Sequence, residues 1–293
     1  MEYTKLGRTG LDVSVIGIGT EHMRDQPRET VVSTLRQAVE QGVNYFDVIF
    51  AMPEYLGHMA EGFRGHRERV LLAAHLGSTD KGGQYFKTRT VKRSESSFLD
   101  VLRALETTYV DVLFLHNFNV TNDWDRAARS GFLNLARRLR DEGKARFLGI
   151  SAHYHGIMER AIESELVDLV MLPVNLFNHA MPGRNDLLEL CMRQNVGVVA
   201  MKPFGGGKLL NQRGRLRVPK YQTSGETFQV KIAGEVTPEQ CLRYVLAQQG
   251  VNVTLPGVKN EAELAAALHT LETGTEERDF SGLLSSFGRY VEG

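Results

Sequence analysis

Four apolar runs in this chain each stop on a side chain able to do acid-base chemistry. Val43-Asn44-Tyr45-Phe46 reaches Asp47, Val70-Leu71-Leu72-Ala73-Ala74 reaches His75, Val112-Leu113-Phe114-Leu115 reaches His116, and Phe147-Leu148-Gly149-Ile150 reaches Ser151 and then His153. An acid at the end of a buried strand costs free energy unless it has a partner or a task. Polar groups gathered at one end of successive strands are how α/β barrels build their sites. An acid beside imidazoles could move protons to and from a reacting oxygen. One Asp with three His could equally be read as a hydrolytic metal site, although such sites need a second carboxylate and usually a His-x-His pair on one strand. His153 and His155 have that spacing, but His155 falls past the strand end in a helical segment. A plainer reading makes His116 a core-edge ring bonded to backbone.

The elements that must position these groups alternate regularly. A small hairpin is expected over residues 3–6 and 11–13, around Gly7-Arg8-Thr9-Gly10. Strands are expected at 13–19, 43–47, 70–76, 110–116, 146–151, 168–174, 196–201 and 251–255, with helices near 31–41, 92–107, 124–142, 155–164, 184–195 and 237–248. Thr237-Pro238-Glu239-Gln240 opens the last of these with a Thr cap and Pro at the first position. A helix is hard to place over 48–64, a short segment broken by Pro53, Gly57 and Gly62. Eight near-continuous apolar strands with helices between them predict a parallel sheet closed into a (β/α)8 TIM barrel. Residues 1–293 then make one domain, with an N-terminal β-hairpin, C-terminal helices that include one over about 276–290, and a long insertion at 208–235. The insertion's cations, Lys208, Arg213, Arg215, Arg217 and Lys220, could cover a phosphate-bearing ligand, although solvated loops of this kind are common. Gly17-Ile18-Gly19-Thr20-Glu21-His22 lacks the third glycine of a Rossmann fingerprint.

Bulk composition removes other classes. Lys plus Arg and Asp plus Glu are both 35, so no global attraction to nucleic acid or anionic membrane is expected. The two cysteines, Cys191 and Cys241, sit in helical patterns and offer neither a disulfide framework nor a Cys-based zinc site. No leader-like apolar segment opens the sequence, and no run approaches the length of a membrane span, so a cytoplasmic protein is expected. Oligomeric state is not legible.

Seven motifs in order then give the sequence a resemblance. Lys5-Leu6-Gly7-Arg8-Thr9-Gly10-Leu11 with Gly17-Ile18-Gly19-Thr20, Asn44-Tyr45-Phe46-Asp47, Leu115-His116, Gly149-Ile150-Ser151, Met201-Lys202-Pro203 and Leu255-Pro256-Gly257 resemble the aldo-keto reductases over nearly the whole chain. The resemblance implies a nicotinamide-dependent oxidoreductase acting on a small carbonyl or alcohol. In that family an Asp, Tyr, Lys and His tetrad serves the reaction, Tyr donating a proton to the carbonyl. Asp47 and His116 match it. The tyrosine position holds Met52, the lysine position holds His75, and Tyr55 is a displaced substitute at best. The candidate catalytic residues are thus Asp47, His75, His116 and Tyr55, with the two histidines as proposed proton donors.

For the cofactor the resemblance implies NADPH, with NADH also possible. Gly19 and Thr20 would contact it after the first strand, Ser151 and Asn175 would hold the carboxamide, and Met201, followed by Lys202 and Pro203, would lie at the nicotinamide. Gly257 and Lys259 would serve the adenosine phosphate, with Glu263 in a family Gln position. Ala200-Met201-Lys202-Pro203 and Ser151-Ala152-His153 look most like a branch that carries a Cys-rich iron-sulfur tail, and no such cluster occurs in this sequence. Because two tetrad groups differ, a non-catalytic nucleotide-binding sensor is the alternative. Phe50, Tyr85, Phe86, Phe118, Trp124 and Phe177 are the possible substrate-lining residues.

Overall fold

The computed structural model describes residues 1–120, 122–210, 216–219, 227–230, 236–272 and 280–287. The strands, in chain order, are β1 (Tyr3–Lys5), β2 (Asp12–Ser14), β3 (Ile18–Gly19), β4 (Tyr45–Val48), β5 (Leu71–Leu76), β6 (Ser78–Asp80) and β7 (Tyr85–Lys87), followed by β8 (Val110–Leu115), β9 (Ala145–Ser151), β10 (Leu169–Pro173), β11 (Gly197–Met201), β12 (Leu216–Pro219), β13 (Thr227–Val230) and β14 (Val253–Leu255). The helices are α1 (Arg28–Glu40), α2 (Pro53–Phe63), α3 (Val91–Ala104), α4 (Asp123–Arg129), α5 (Phe132–Asp141), α6 (His155–Glu163), α7 (Arg184–Arg193), α8 (Pro238–Leu246), α9 (Glu261–His269) and α10 (Ser281–Phe287).

Eight parallel strands run in the order β3-β4-β5-β8-β9-β10-β11-β14. The two ends meet through parallel bridges from Ile16 to Thr254 and from Gly19 to Gly257, so the sheet closes on itself. This is the TIM barrel expected from the sequence. Side chains of a strand alternate between faces, and here the alternation separates two cores. Leu6, Leu11, Val13, Tyr45, Ala73, Val112, Phe114, Leu169, Met171, Val199, Val253 and Leu255 form one cluster inside the barrel. The intervening residues, such as Phe46, Leu72, Leu113, Val170 and Val198, join the larger cluster between sheet and helices. The β1–β2 hairpin, antiparallel from Tyr3 opposite Ser14 to Lys5 opposite Asp12, contributes Val13 to the inner cluster, and its connecting turn contributes Leu6 and Leu11.

Four sequence expectations change. Residues 53–63 do form a helix, because Pro53 occupies its first position and needs no intrahelical donor. Gly62, expected to interrupt it, instead faces Leu35 of α1, where an added Cβ would lie 2.6 Å from Cδ1. The helix expected over 124–142 divides into α4 and α5 at Gly131, whose φ of 81° an L side chain rarely adopts. Between the strand expected at 70–76 and the helix expected near 92–107, where no element is expected, β6 and β7 pair as an antiparallel hairpin. The strand expected over 13–19 is two pieces, β2, which pairs with β1 in the hairpin, and β3, which pairs with β4 in the barrel.

Part of the insertion at 208–235 is the antiparallel pair β12–β13; Arg213, Arg215 and Lys220 lie outside the described residues. Of the helix expected over 276–290, α10 is described. Phe280, Leu283 and Leu284 pack against the outer core, with the Phe280 ring edge-on to Tyr244 at 5.5 Å.

Candidate active site

The inner register, continued one step past each strand's packed layer, builds the site. Two residues beyond inward Tyr45 comes Asp47, beyond Ala73 comes His75, beyond Phe114 comes His116, beyond Gly149 comes Ser151, beyond Val199 comes Met201, and beyond Leu255 comes Gly257. All six line one cavity of about 470 Å³ at the C-terminal mouth. The same period of two that fills the barrel with apolar side chains thus ends in a ring of cavity-lining ones.

Three of these groups are joined by hydrogen bonds. His75 Nε2 lies 2.8 Å from Asp47 Oδ1, and His75 Nδ1 lies 2.9 Å from His116 Nδ1. The backbone keeps them there, since β5 pairs His75 with Phe114 of β8 and the His116 amide donates to Leu76 O at 3.1 Å. The His75 ring stacks on Phe114 with centroids 5.4 Å apart. Arg89 braces the end of β8, donating to the carbonyls of His116 at 2.6 Å and Asn117 at 3.1 Å while its guanidinium lies over Phe118 at 4.2 Å. Burial pushes His116 well below the usual imidazole range, and the neighbouring His75, Arg89, Lys87 and His153 push the same way. A pKa held that low favours the uncharged His116 ring at neutral pH, a hydrogen-bond donor on one nitrogen and an acceptor on the other.

A tyrosine completes this line, and it is not Tyr55. Tyr85 on β7 brings its hydroxyl to His116 Nε2 and lines the cavity, its ring edge-on to Phe50 at 5.5 Å. Tyr55, on α2, is buried away from the cavity lining. Its hydroxyl bonds Thr20 Oγ1, which in turn donates to Asp47 O at 2.7 Å. Burial raises the Tyr55 phenol far above its ordinary value. Sequence reasoning had named Tyr85 only as one of six possible liners. The signal available was the Lys81-Gly82-Gly83-Gln84 turn, which folds Tyr85 back across Asp80.

The cofactor candidates divide in the same way. Gly19, Ser151, Met201, Lys202, Pro203 and Gly257 line the cavity, as do the unanticipated Glu21, His22 and Arg24 after β3. Thr20 does not, being wholly buried beneath Tyr55. Asn175 is also turned away: its Nδ2 donates to Lys202 O at 3.0 Å and its Oδ1 accepts from the Asn178 amide, closing a capping box. Lys259 and Glu263 stand outside the lining at the start of α9, where the Glu263 carboxylate accepts the Lys259 amide at 2.9 Å. Lys202, held at φ 56°, places Nζ 3.3 Å from His153 Nε2. Burial first, then the charges of Lys202 and Lys87, lowers His153 to about 4. Of the other suggested liners only Phe50 joins Tyr85; Phe118 and Trp124 pack on each other, and Phe86 is exposed.

Among the described residues no three His, Cys, Asp or Glu side chains converge as a metal-ligand set. Both ring nitrogens of His75 are already engaged, by Asp47 and His116.

Comparison with known proteins agrees with the barrel fold. A family model described as the aldo/keto reductase family matches residues 15–284. The L-galactose dehydrogenase of Arabidopsis thaliana is 25% identical over 295 residues, covering 93% of this chain and 90% of that protein. An aldo-keto reductase of Bacillus subtilis strain 168, YhdN, is 25% identical over 294 residues, covering 91% and 87%. Among solved structures, an aldo-keto reductase of Bacillus halodurans in its holo form superposes with a TM-score of 0.78 at 18% identity, covering 98% of this chain and 96% of that one.

Proposed function

Because the chain belongs to the aldo/keto reductase family, we propose that it transfers hydride between a nicotinamide dinucleotide and a small carbonyl or alcohol, with Asp47, His75 and His116 on the proton side. The observation that carries this reading is the hydrogen-bonded line of those three side chains along one wall of the mouth cavity. A neutral imidazole pair ending on a carboxylate can pass a proton without creating a buried charge. That suits a reaction in which an alkoxide forms and must be protonated.

The opposite wall fits the dinucleotide. Gly206 and Gly207 line the cavity at φ 68° and 80°, and nothing stands within 4 Å of where their side chains would be, so backbone there can approach a phosphate closely. Ser151, buried and on the lining, forms no side-chain hydrogen bond among the described residues and is free for the carboxamide. Met201 would lie against the ring, Lys202 toward the phosphates, and Gly257 and Lys259 toward the adenosine. When bound, the nicotinamide supplies or accepts the hydride. NADPH is the cofactor we assign, through Lys259, whose ammonium would meet a 2′-phosphate.

Fluorescence titration of the purified protein with NADPH and NADH tests this. Saturable binding is expected, and Lys259→Ala should weaken NADPH more than NADH. Failure of both nucleotides to bind would remove the reading, and equal weakening would remove the NADPH assignment.

A further inference from the structure

We propose that Tyr85 is the catalytic acid-base at the substrate oxygen, and that its proton is stored on Asp47 after passing through His116 and His75. This rests on the oxidoreductase reading above and assigns a group that the sequence comparison with the family does not, since Tyr85 arrives from the β6–β7 hairpin rather than from the segment after β4.

The direction of every hydrogen bond in the line follows from its far end. An Asp47 carboxylate can only accept, so His75 must carry its proton on Nε2. With one proton on that ring His75 offers a bare Nδ1, and the facing His116 Nδ1, 2.9 Å away, is then the donor. A neutral His116 is in turn left with a bare Nε2, and the Tyr85 hydroxyl is the donor to it. With one proton on each ring, this orientation satisfies all four groups. In it the phenol oxygen, which also accepts from Asn117, keeps one lone pair for a substrate hydroxyl, and the line is ready to accept a proton at the Tyr85 end.

The surroundings of Tyr85 support that task. Burial raises its phenol, while a hydrogen bond from Asn117 and the charge of Arg89 act in the opposite sense and favour the phenolate. Arg89 is held close by its bonds to the carbonyls of His116 and Asn117. The family places a lysine where this chain has His75; here the cationic support reaches the tyrosine from Arg89 instead. The edge-on contact with Phe50 fixes the ring over the cavity.

In alcohol oxidation the balance is complete. The substrate hydroxyl proton goes to Tyr85 Oη, and the Tyr85 proton to His116 Nε2. The His116 Nδ1 proton goes to His75 Nδ1, and the His75 Nε2 proton to Asp47 Oδ1. The substrate carbon loses hydride to an oxidised nicotinamide dinucleotide, and its C–O bond becomes the carbonyl. Both rings exchange tautomers and stay neutral, and Asp47 ends protonated. Carbonyl reduction runs the same steps backwards from a protonated Asp47, which takes up that proton from solvent before the step and returns to the carboxylate after it.

Two measurements decide the proposal. Histidine-nitrogen NMR of the isotope-labelled protein should show His75 protonated on Nε2 and His116 on Nδ1. In Tyr85→Phe the His116 Nε2 signal should move toward that of a nitrogen accepting no hydrogen bond, with His75 unchanged. A His116 proton on Nε2 in the wild type, or no response to Tyr85→Phe, overturns the wire whether or not a dinucleotide binds. With a reduced nicotinamide nucleotide and para-nitrobenzaldehyde as the probe, Tyr85→Phe should lose about 100-fold or more in turnover, the usual scale for a general acid. Nucleotide affinity should hold, and Tyr55→Phe should stay within about threefold of wild type. Full turnover in Tyr85→Phe, or its loss in Tyr55→Phe, overturns the assignment. Absence of nucleotide binding would count against the oxidoreductase reading, and the NMR result would then judge the wire alone.

Discussion

Tyr55 and Tyr85 both stand near the Asp47 wall, and their partners separate them. The Tyr55 hydroxyl is spent on Thr20 and ties α2 to the end of β4, which is a structural task. Tyr55→Phe should therefore cost about 1 kcal/mol of stability in urea denaturation, the ordinary net worth of a buried hydrogen bond. A loss no larger than measurement error would show that the hydroxyl contributes nothing to the fold. At this scale Asp47, His75, His116 and Ser151 were legible, because a polar residue two positions past an inward apolar one can be read from period-two alternation alone. Tyr85 was not, since its place in the cavity lining depends on a hairpin, β6–β7, with no periodicity to announce it. Asn175 misled because a polar residue after β10 looks the same whether it faces a ligand or caps a turn, and here it caps.

Elements succeed or fail here by how closely they must approach. Gly57 and Gly62 read as helix interruptions, yet Gly62 is the point where α2 touches Leu35, itself fully buried on α1. Gly62→Ala sets two effects against each other. Better helix propensity contributes about 1 kcal/mol, while forcing a Cβ within 2.6 Å of Leu35 Cδ1 and 2.9 Å of its Cβ costs roughly 1–3 kcal/mol. We expect net destabilisation and a lower melting temperature; a stabilised variant would mean that the α1–α2 contact yields easily. A helix containing two glycines and a proline was unreadable from propensity, because tertiary contact and the first-turn position overrode it. By contrast α8 was legible to its first residue, its Thr237 cap, Pro238 and Gln240 forming the capping box observed.

For the molecule as a whole, the eight-strand count, the closure and the single ring of strand-end groups followed from alternating apolar runs, whereas the loops that choose the substrate did not, having no periodicity to read. Histidines that are buried or half-buried give the whole fold a pH dependence. His116, His153, His155 and His179 are all held below 6.5, burial being the largest cause in each. The unfolded chain takes up these protons near pH 6.5 and the folded one only lower, near 4 for His153. Stability is thus full above the unfolded value and is lost as pH falls through that window. Melting temperature should drop between roughly pH 7 and 5, and a flat profile there would show that the rings are not buried neutral. The most direct test of the central claim is oxidation of bound NADPH or NADH by a panel of aldehydes and ketones, wild type against His75→Ala. We predict carbonyl-dependent oxidation that falls about 100-fold in the variant while nucleotide affinity is kept. Tight nucleotide binding with no oxidation by any carbonyl would make the protein a sensor, and undiminished turnover in His75→Ala would detach the Asp47–His75–His116 line from the chemistry.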